Sequence, residues 1–312
     1  MADLQNTLRH AHPFNVPAAY TRGSSPGKPV RVRTSGVDSA HAWKQYYRSE
    51  RERMGRDELE RLVDAADPLD VRPGGALIVP HTRLEVTGDQ IGRAVSTVLA
   101  SGADRVLALG VLHGARREDR ERVAAARRGD AQAAIGLRGV HDEQGLAAEE
   151  FSLDGFVAML AIAAARAGRK IEVVRRYPFL VGDDPTTLPG LDELERLVAH
   201  DALLMATTDP IHHGYAYGTS PDRCLAPDDD GTVVTATGMI DAQLGALSAR
   251  RYADFQRLAA IHQSDFRDTG PVVAHLVGEG FASQIHDLAL VDYSEALQAR
   301  SPSWVAGALI TA

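Results

Sequence analysis

The sequence contains almost no cysteine, few aromatic residues and no long apolar run. Cys224 is the one cysteine among 312 residues, so the chain cannot form an internal disulfide, which indicates a reducing compartment. Phe, Tyr and Trp make up only 5% of the residues, so aliphatic side chains must supply most of the core. No apolar run approaches the ~18 residues of a membrane span, and the first residues lack the apolar centre of a signal peptide. We expect a soluble, cytoplasmic protein with no membrane partner.

The chain also lacks an excess of basic charge. It has 34 Lys and Arg against 42 Asp and Glu, a net charge of −8, and no basic face is evident, so nucleic acid is not an expected partner. A hydrophobic content of 44% with 24% charged residues is ordinary for a globular protein. Residues 1–36 carry Pro, Gly, Ser and Arg without periodicity, which predicts an extended N-terminal arm. Residues 37–312 are long enough for a single α/β domain.

Two short apolar runs, each followed by a histidine, are the most informative part of the sequence. Ala76–Val79 and Arg105–Gly110 have the continuous apolar character of buried parallel strands. The stretch Gln90–Ala100 between them has apolar residues at helical spacing. A right-handed strand–helix–strand unit makes the two strands parallel, and we expect them to be neighbours. His81 and His113 would then emerge together at the carboxyl edge of the sheet, where open α/β sheets bind ligands.

Strands and helices alternate along the rest of the chain. Strands are predicted at Lys170–Pro178 and Ala202–Thr207, and a late hairpin at Ile285–Val291 with Ser303–Thr311. Helices are predicted at Tyr47–Ala65, Ala115–Gly129, Phe151–Ala167, Leu191–His200, Thr237–Ala249, Arg251–His262 and Val272–Glu279. Loops are predicted at Gly136–Glu150, Asp222–Gly231 and Ser264–Pro271. The alternation predicts a three-layer α/β/α domain with a mostly parallel or mixed central sheet.

Four motifs in order resemble those of the Memo family, which belongs to the superfamily of class III extradiol ring-cleaving dioxygenases. They are Pro80-His81 after the first strand, the Leu-Gly-x-x-His pattern that ends at His113, Ala206–Gly214 (ATTDPIHHG) and Ser303–Leu309 (SWVAGAL). The resemblance covers roughly residues 74 to 312. It implies the same α/β fold and a nonheme Fe(II) site that acts with O2 on a small chelating metabolite such as a catechol or an aminophenol. It also allows a homodimer.

Two imidazoles at strand ends are a natural pair of metal ligands, so we interpret His81 and His113 as metal ligands. The alternative is that each is only a structural histidine. The resemblance assigns His212 a role in moving protons or in hydrogen bonding to bound oxygen or a substrate hydroxyl. The alternatives are that it is a third ligand or that it is purely structural. Asp209 would orient His212, or else cap a turn.

A third ligand, an acid, is needed to complete a site of two histidines and one carboxylate. The Memo family supplies a cysteine in a loop before a helix, but the matching stretch here, Ser264–Pro271, has none. Asp265 and Asp268 flank the matching position, and we favour Asp268 over Asp265. Both could instead cap the following helix. A carboxylate in place of a thiolate would shift the site from soft copper toward Fe(II).

Three further residues are candidate substrate contacts. Arg83 could bind a substrate carboxylate with both arms of its guanidinium, or form a surface ion pair. His213 takes the place of an aromatic residue of the family, and His141 lies in the predicted loop over the active edge. The family's histidines at the start of the following helix are Phe151 and Phe156 here, so that wall should be apolar.

Two other functions remain open at this point. A non-catalytic protein that binds copper or a partner is suggested by Memo-like proteins without ring-cleaving activity, although the missing cysteine counts against copper(I). A hydrolase could use the same histidines with Zn²⁺ and an activated water. Fe(II) is the expected metal, with Cu and Zn as alternatives.

Overall fold

The computed structural model describes residues 39–71, 74–113, 120–200 and 202–312. The proposed N-terminal arm, residues 1–36, therefore lies outside the described residues. The helices of the described residues are α1 (Ser39–Asp64), α2 (Leu84–Ser101), α3 (Arg120–Arg127), α4 (Ala131–Ala134), α5 (Asp154–Arg166), α6 (Leu191–Ala199), α7 (Asp230–Ser248), α8 (Tyr252–Ile261) and α9 (Phe266–Val277). Its strands are β1 (Ala76–Val79), β2 (Arg105–Leu109), β3 (Gly139–His141), β4 (Glu172–Phe179), β5 (Leu203–Thr207), β6 (Ile211–Gly214), β7 (Gln284–Asp292) and β8 (Ser303–Thr311).

The strands form one mixed sheet with a parallel centre. Its order is β3-β4-β2-β5-β1-β8-β6, and β7 pairs with the remaining edge of β8. Strands β4, β2, β5 and β1 run parallel, while β8 runs antiparallel to β1, β6 and β7. The predicted late hairpin is thus confirmed as β7 and β8.

The parallel strands are apolar throughout because both faces of the sheet are covered. Leu77 and Val79 of β1 pack in one core with α1, α2 and α5. Ala76 and Ile78, which alternate with them along the strand, pack in a second core with α6 to α9. The predicted three-layer α/β/α architecture is confirmed.

The strands that precede the two histidines are parallel, as predicted, but the prediction that they are neighbours is wrong. Strand β5 lies between β1 and β2 and pairs with both. The crossover from β1 to β2 leaves room for one strand between them, and the order of the sequence does not show which later strand occupies it. The insertion brings the residues after β5 to the same edge of the sheet, between those that follow β1 and β2.

Several element boundaries also differ from the predictions. Helix α9 begins at Phe266, so most of the predicted loop Ser264–Pro271 is helical. Pro271 marked the expected start of this helix but lies inside it. The predicted loop Gly136–Glu150 contains β3, which adds to the sheet through β4. Among the described residues, no helix combines the length and the apolar character needed to cross a bilayer.

Helix α1 lies across α2 and α5 and carries a cluster of aromatic residues. It is interrupted at Gly55, whose φ of 73° is non-helical. The buried Glu50 of α1 accepts hydrogen bonds from the Leu84 and Glu85 amides at 3.0 and 3.4 Å. These are free amides of the first turn of α2, so Glu50 ties α1 to the start of α2.

Candidate metal centre

Histidine and aspartate side chains from separate elements meet at the carboxyl edge of the parallel strands. His81 follows β1, His113 follows β2, and Asp209 follows the intervening β5. His212 lies in β6, and Asp265 immediately precedes α9. The site is therefore assembled at the edge where parallel sheets place their ligands.

Three donor atoms converge closely enough to share one cation. His81 Nε2 lies 3.3 Å from His113 Nε2, and Asp265 Oδ2 lies 3.0 Å from His113 Nε2 and 3.3 Å from His81 Nε2. Ligands bonded at about 2.1 Å lie about 3.0 Å apart at right angles and about 3.4 Å apart at a tetrahedral angle. His81, His113 and Asp265 thus fit the ligand shell of one transition-metal ion.

The His113 ring is held in place by Glu150, whose carboxylate is fully buried. Glu150 Oε1 lies 3.1 Å from His113 Nδ1, and Oε2 accepts the His113 amide at 2.5 Å. The Phe151 and Ser152 amides also donate to Oε1, at 2.8 and 3.0 Å. A carboxylate on the far nitrogen fixes the tautomer of a ligand histidine and leaves Nε2 free to bind metal.

His212 has the same kind of orientation but lies slightly further away. Its Nδ1 donates to the Gln263 carbonyl at 2.9 Å, which leaves Nε2 as an acceptor 3.6 Å from Asp265 Oδ2. Gln263 has a left-handed backbone, φ 51°. The turn that contains it is bonded to the sheet edge, because the His212 amide donates to the His262 carbonyl at 2.9 Å.

Asp209 lies beneath this group and is 2% exposed. Its Oδ1 accepts the His81 amide at 3.2 Å, and its Oδ2 lies 3.6 Å from His81 Nε2. Its carbonyl accepts the Asp265 amide at 3.2 Å. The buried Nδ1 of His81 has no hydrogen-bond partner among the described residues, so the polar contacts of this ring are concentrated at Nε2.

The charges of the site shift several ionisation equilibria when no cation is bound. Burial alone would raise the pKa of the Asp265 carboxyl, but the facing His212 and His113 outweigh it and hold this pKa well below its usual value. Burial would lower the pKa of His113, but Asp265 and Glu150 raise it well above its usual value. Burial raises the pKa of the Asp209 carboxyl, against the opposing effect of His81 and His212. A cation would therefore replace a proton on His113.

The donor atoms open into a cleft with aromatic walls. Five aromatic side chains line it, out of 17 in the chain, so a scarce residue type is concentrated here. They are Trp43, Tyr47, Phe151, Tyr217 and Tyr293. Phe151 stacks on His113 with ring centroids 4.9 Å apart and planes 18° apart, and Tyr217 meets His212 edge to face at 5.0 Å. The cleft suits a flat apolar group beside the metal ligands.

Asp268, the favoured third ligand, does not lie beside the histidines, so the preference for it is wrong; the alternative, Asp265, lies beside them. Asp268 lies one helical turn further along the chain, buried inside α9. Its Oδ1 accepts the Leu180 amide at 3.1 Å, and its Oδ2 lies 2.7 Å from Arg127 Nη2. It is thus engaged in an ion pair that joins α9 to α3.

The three candidate substrate contacts do not line the cleft. Arg83 pairs with Glu85 and lies 3.5 Å from Glu50 Oε1. His213, next to His212 in a strand, faces the opposite side, where its ring contacts Trp304 at 4.9 Å.

His141 belongs to β3, on the far side of β4 from β2. Its Nε2 donates to the Leu137 carbonyl at 2.7 Å. Arg83, His213 and His141 are therefore not part of this centre.

Sequence reasoning predicted the apolar wall at Phe151 but missed Glu150 and the other four aromatic residues of the cleft. Glu150 stood beside the noted Phe151, but only the fold shows that its carboxylate reaches His113. The spacing of Trp43 and Tyr47 could have identified them, because two aromatic residues four positions apart lie on one helix face. Such a pair stands out in a chain with few aromatic residues. No known family model and no curated protein matches this chain.

Proposed function

We propose that this protein is an Fe(II)-dependent oxygenase, similar to class III extradiol dioxygenases, that oxidises a small catechol-like or aminophenol-like metabolite with O2. One observation carries the proposal: His81 Nε2, His113 Nε2 and Asp265 Oδ2 converge at 3.0–3.3 Å. Two imidazoles and one carboxylate on one side of a metal are the ligand set of many nonheme Fe(II) oxygenases. The sequence resemblance to the Memo family supports the same class.

The ligand chemistry favours iron over copper(I). All three donors are nitrogen or oxygen, whereas copper(I) prefers thiolate or thioether ligands. The single cysteine, Cys224, has its sulfur 3.7 Å from the Thr219 carbonyl and does not line the cleft. The same donors also suit Zn²⁺, so metal analysis is part of the test.

The other side chains of the site have roles that follow from their positions. His212 Nε2 is oriented to accept a proton from a substrate hydroxyl and to return it later. Asp209 holds the His81 backbone, and the aromatic walls would stack on the substrate ring and exclude water. When bound, Fe(II) supplies the redox chemistry by which O2 oxidises a chelated substrate. Both oxygen atoms enter the product in a ring cleavage of this class, so no external reductant is needed.

The test is anaerobic reconstitution with Fe(II), followed by iron analysis and O2 uptake with catechol and 2-aminophenol. We expect one iron per chain in the native protein and stoichiometric O2 consumption with at least one of these substrates. His81→Ala and His113→Ala should each lose the iron. His275→Ala is the matched control, because this histidine pairs with Glu195 away from the site.

Unchanged iron content in both variants would overturn the metal site. Protein purified without added metal that carries Zn²⁺ and consumes no O2 would point to a hydrolase instead. Copper without O2 uptake would support the non-catalytic alternative.

A further inference from the structure

Three hydroxyl groups form a hydrogen-bonded chain next to the proposed metal centre. Thr82 Oγ1 lies 2.6 Å from the Tyr293 hydroxyl, which lies 2.8 Å from the Tyr47 hydroxyl. Thr82 directly follows the metal-binding candidate His81. Thr82 and Tyr293 are each 2% exposed, whereas Tyr47 is only partly buried and lines the cleft.

The direction of the two hydrogen bonds between these hydroxyls follows from counting the hydroxyl protons. Three hydroxyls carry three protons, but the two hydrogen bonds use only two. Neither Thr82 nor Tyr47 has a further hydroxyl partner among the residues that the structure describes. A leftover proton on Thr82 or Tyr293 would be a buried donor without an acceptor, which is costly. The favoured arrangement therefore has Thr82 donating to Tyr293 and Tyr293 donating to Tyr47, so that the free proton is on Tyr47.

Tyr47 is in a position to donate this proton in a hydrogen bond to a ligand in the cleft. Its ring contacts Phe151 at 5.4 Å, and Phe151 in turn stacks on His113. Tyr47 therefore lies along the same wall of the cleft as His113. A hydroxyl that accepts one hydrogen bond becomes a stronger donor of the next, so Tyr47 presents a polarised donor to the cleft that His81 and His113 also line.

We propose that Tyr47 is a specificity-determining residue whose hydroxyl donates a hydrogen bond to an oxygen acceptor on the substrate ring, remote from the chelating hydroxyls. The inference rests on the proposed function, since it takes a chelating aromatic as the substrate. Thr82 and Tyr293 are positioning residues that set the direction of the Tyr47 proton. The preferred substrate is then a catechol-like ring that carries a carbonyl-type oxygen.

Two probes of similar size isolate this hydrogen bond: 3,4-dihydroxybenzaldehyde carries the acceptor oxygen, and 4-methylcatechol does not. Their dissociation constants are measured on the Fe(II)-loaded protein without O2, so that no turnover is needed. Because the two probes differ in acidity, the informative quantity is the change in their affinity ratio between variants. We expect Tyr47→Phe to reduce the preference for the aldehyde by about tenfold, which corresponds to one hydrogen bond.

Thr82 variants test the relay separately from direct contact. Thr82→Val should lose part of the preference although it does not touch the ligand, and Thr82→Ser should restore it. Tyr46→Phe is the control, because Tyr46 belongs to the same aromatic cluster but does not line the cleft, and it should leave the ratio unchanged.

The outcomes separate the two proposals. If neither probe binds the native protein, the proposed substrate class fails and the inference fails with it. If both probes bind and the ratio is the same in Tyr47→Phe, the inference alone is overturned. A loss in Tyr47→Phe with no effect of Thr82→Val would overturn the relay that fixes the proton.

Discussion

At the scale of single residues, the centre is notable for how its imidazoles are oriented. The far nitrogen of His113 faces Glu150 at 3.1 Å, and that of His212 faces a backbone carbonyl at 2.9 Å. Both rings therefore direct Nε2 toward Asp265. Structural histidines at strand ends have no need of this shared direction, whereas ligands and proton acceptors do.

The Glu150 carboxylate should control metal affinity through His113. Glu150→Gln retains the shape but weakens the hold on Nδ1, so we expect metal affinity to fall about 10–100-fold. Titration of metal-free protein with Fe(II) or Zn²⁺ measures this. Glu50→Gln is the matched control, since Glu50 is another buried glutamate that binds backbone amides. It should lower stability and leave metal affinity unchanged; equal affinity in all three proteins would contradict the role of Glu150.

Metal binding should release a proton from His113. Burial would lower the pKa of the His113 ring, but Asp265 and Glu150 raise it well above its usual value, so a cation that binds Nε2 competes with a proton. Affinity should therefore fall by about tenfold per pH unit below that pKa and level off above it. Calorimetry at pH 7 in buffers with different ionisation enthalpies should detect proton release when the native, metal-free protein binds Fe(II) or Zn²⁺. Metal binding without proton release would contradict this account.

At the scale of elements, His81, His113 and Asp209 follow the ends of strands, and Asp265 lies in the turn before α9. Strand β5 brings Asp209 between the ends of β1 and β2. The turn between α8 and α9 is fastened to it by the bond from the Asp265 amide to the Asp209 carbonyl. The position of Asp265, the proposed third ligand, thus depends on contacts between two segments far apart in sequence.

The close approach of α1 to α2 also depends on particular residues. A Cβ at Gly92 would overlap the Leu62 carbonyl, while a Cβ at Gly238 in α7 would meet nothing. We expect Gly92→Ala to lower the free energy of unfolding by about 1–3 kcal/mol through overpacking. Gly238→Ala should raise it by about 0.5–1 kcal/mol, because alanine is the better helix former. Urea unfolding measures both, and equal effects of the two substitutions would contradict the described packing.

The strand–helix–strand unit and its two histidines could be predicted because their signals are local: an apolar run, helical spacing and a residue at the strand end. The third ligand could not. Choosing Asp265 over Asp268 required knowing that α9 begins at Phe266, and Pro271 suggested a later start. Likewise, no local pattern shows that β5 lies between β1 and β2 or that the Glu150 carboxylate contacts His113. Both depend on tertiary packing.

At the scale of the whole molecule, the proposed cation would join segments far apart in sequence. It would link the end of β1, the end of β2 and the turn before α9, and through Asp209 the end of β5. Such an ion binds only the folded chain, so it should stabilise the entire domain by about 2.7 kcal/mol at a free metal concentration 100 times the dissociation constant.

The most direct test compares Asp265→Asn with Asp268→Asn in the metal-free and Fe(II)-loaded states. The two residues are three positions apart, yet one faces His81 and His113 and the other pairs with Arg127. The measurement is the rise in melting temperature on adding Fe(II) without O2. We predict that Asp268→Asn melts at a lower temperature but keeps the rise, and that Asp265→Asn loses it. A full rise in Asp265→Asn, or its loss only in Asp268→Asn, would contradict the assigned centre.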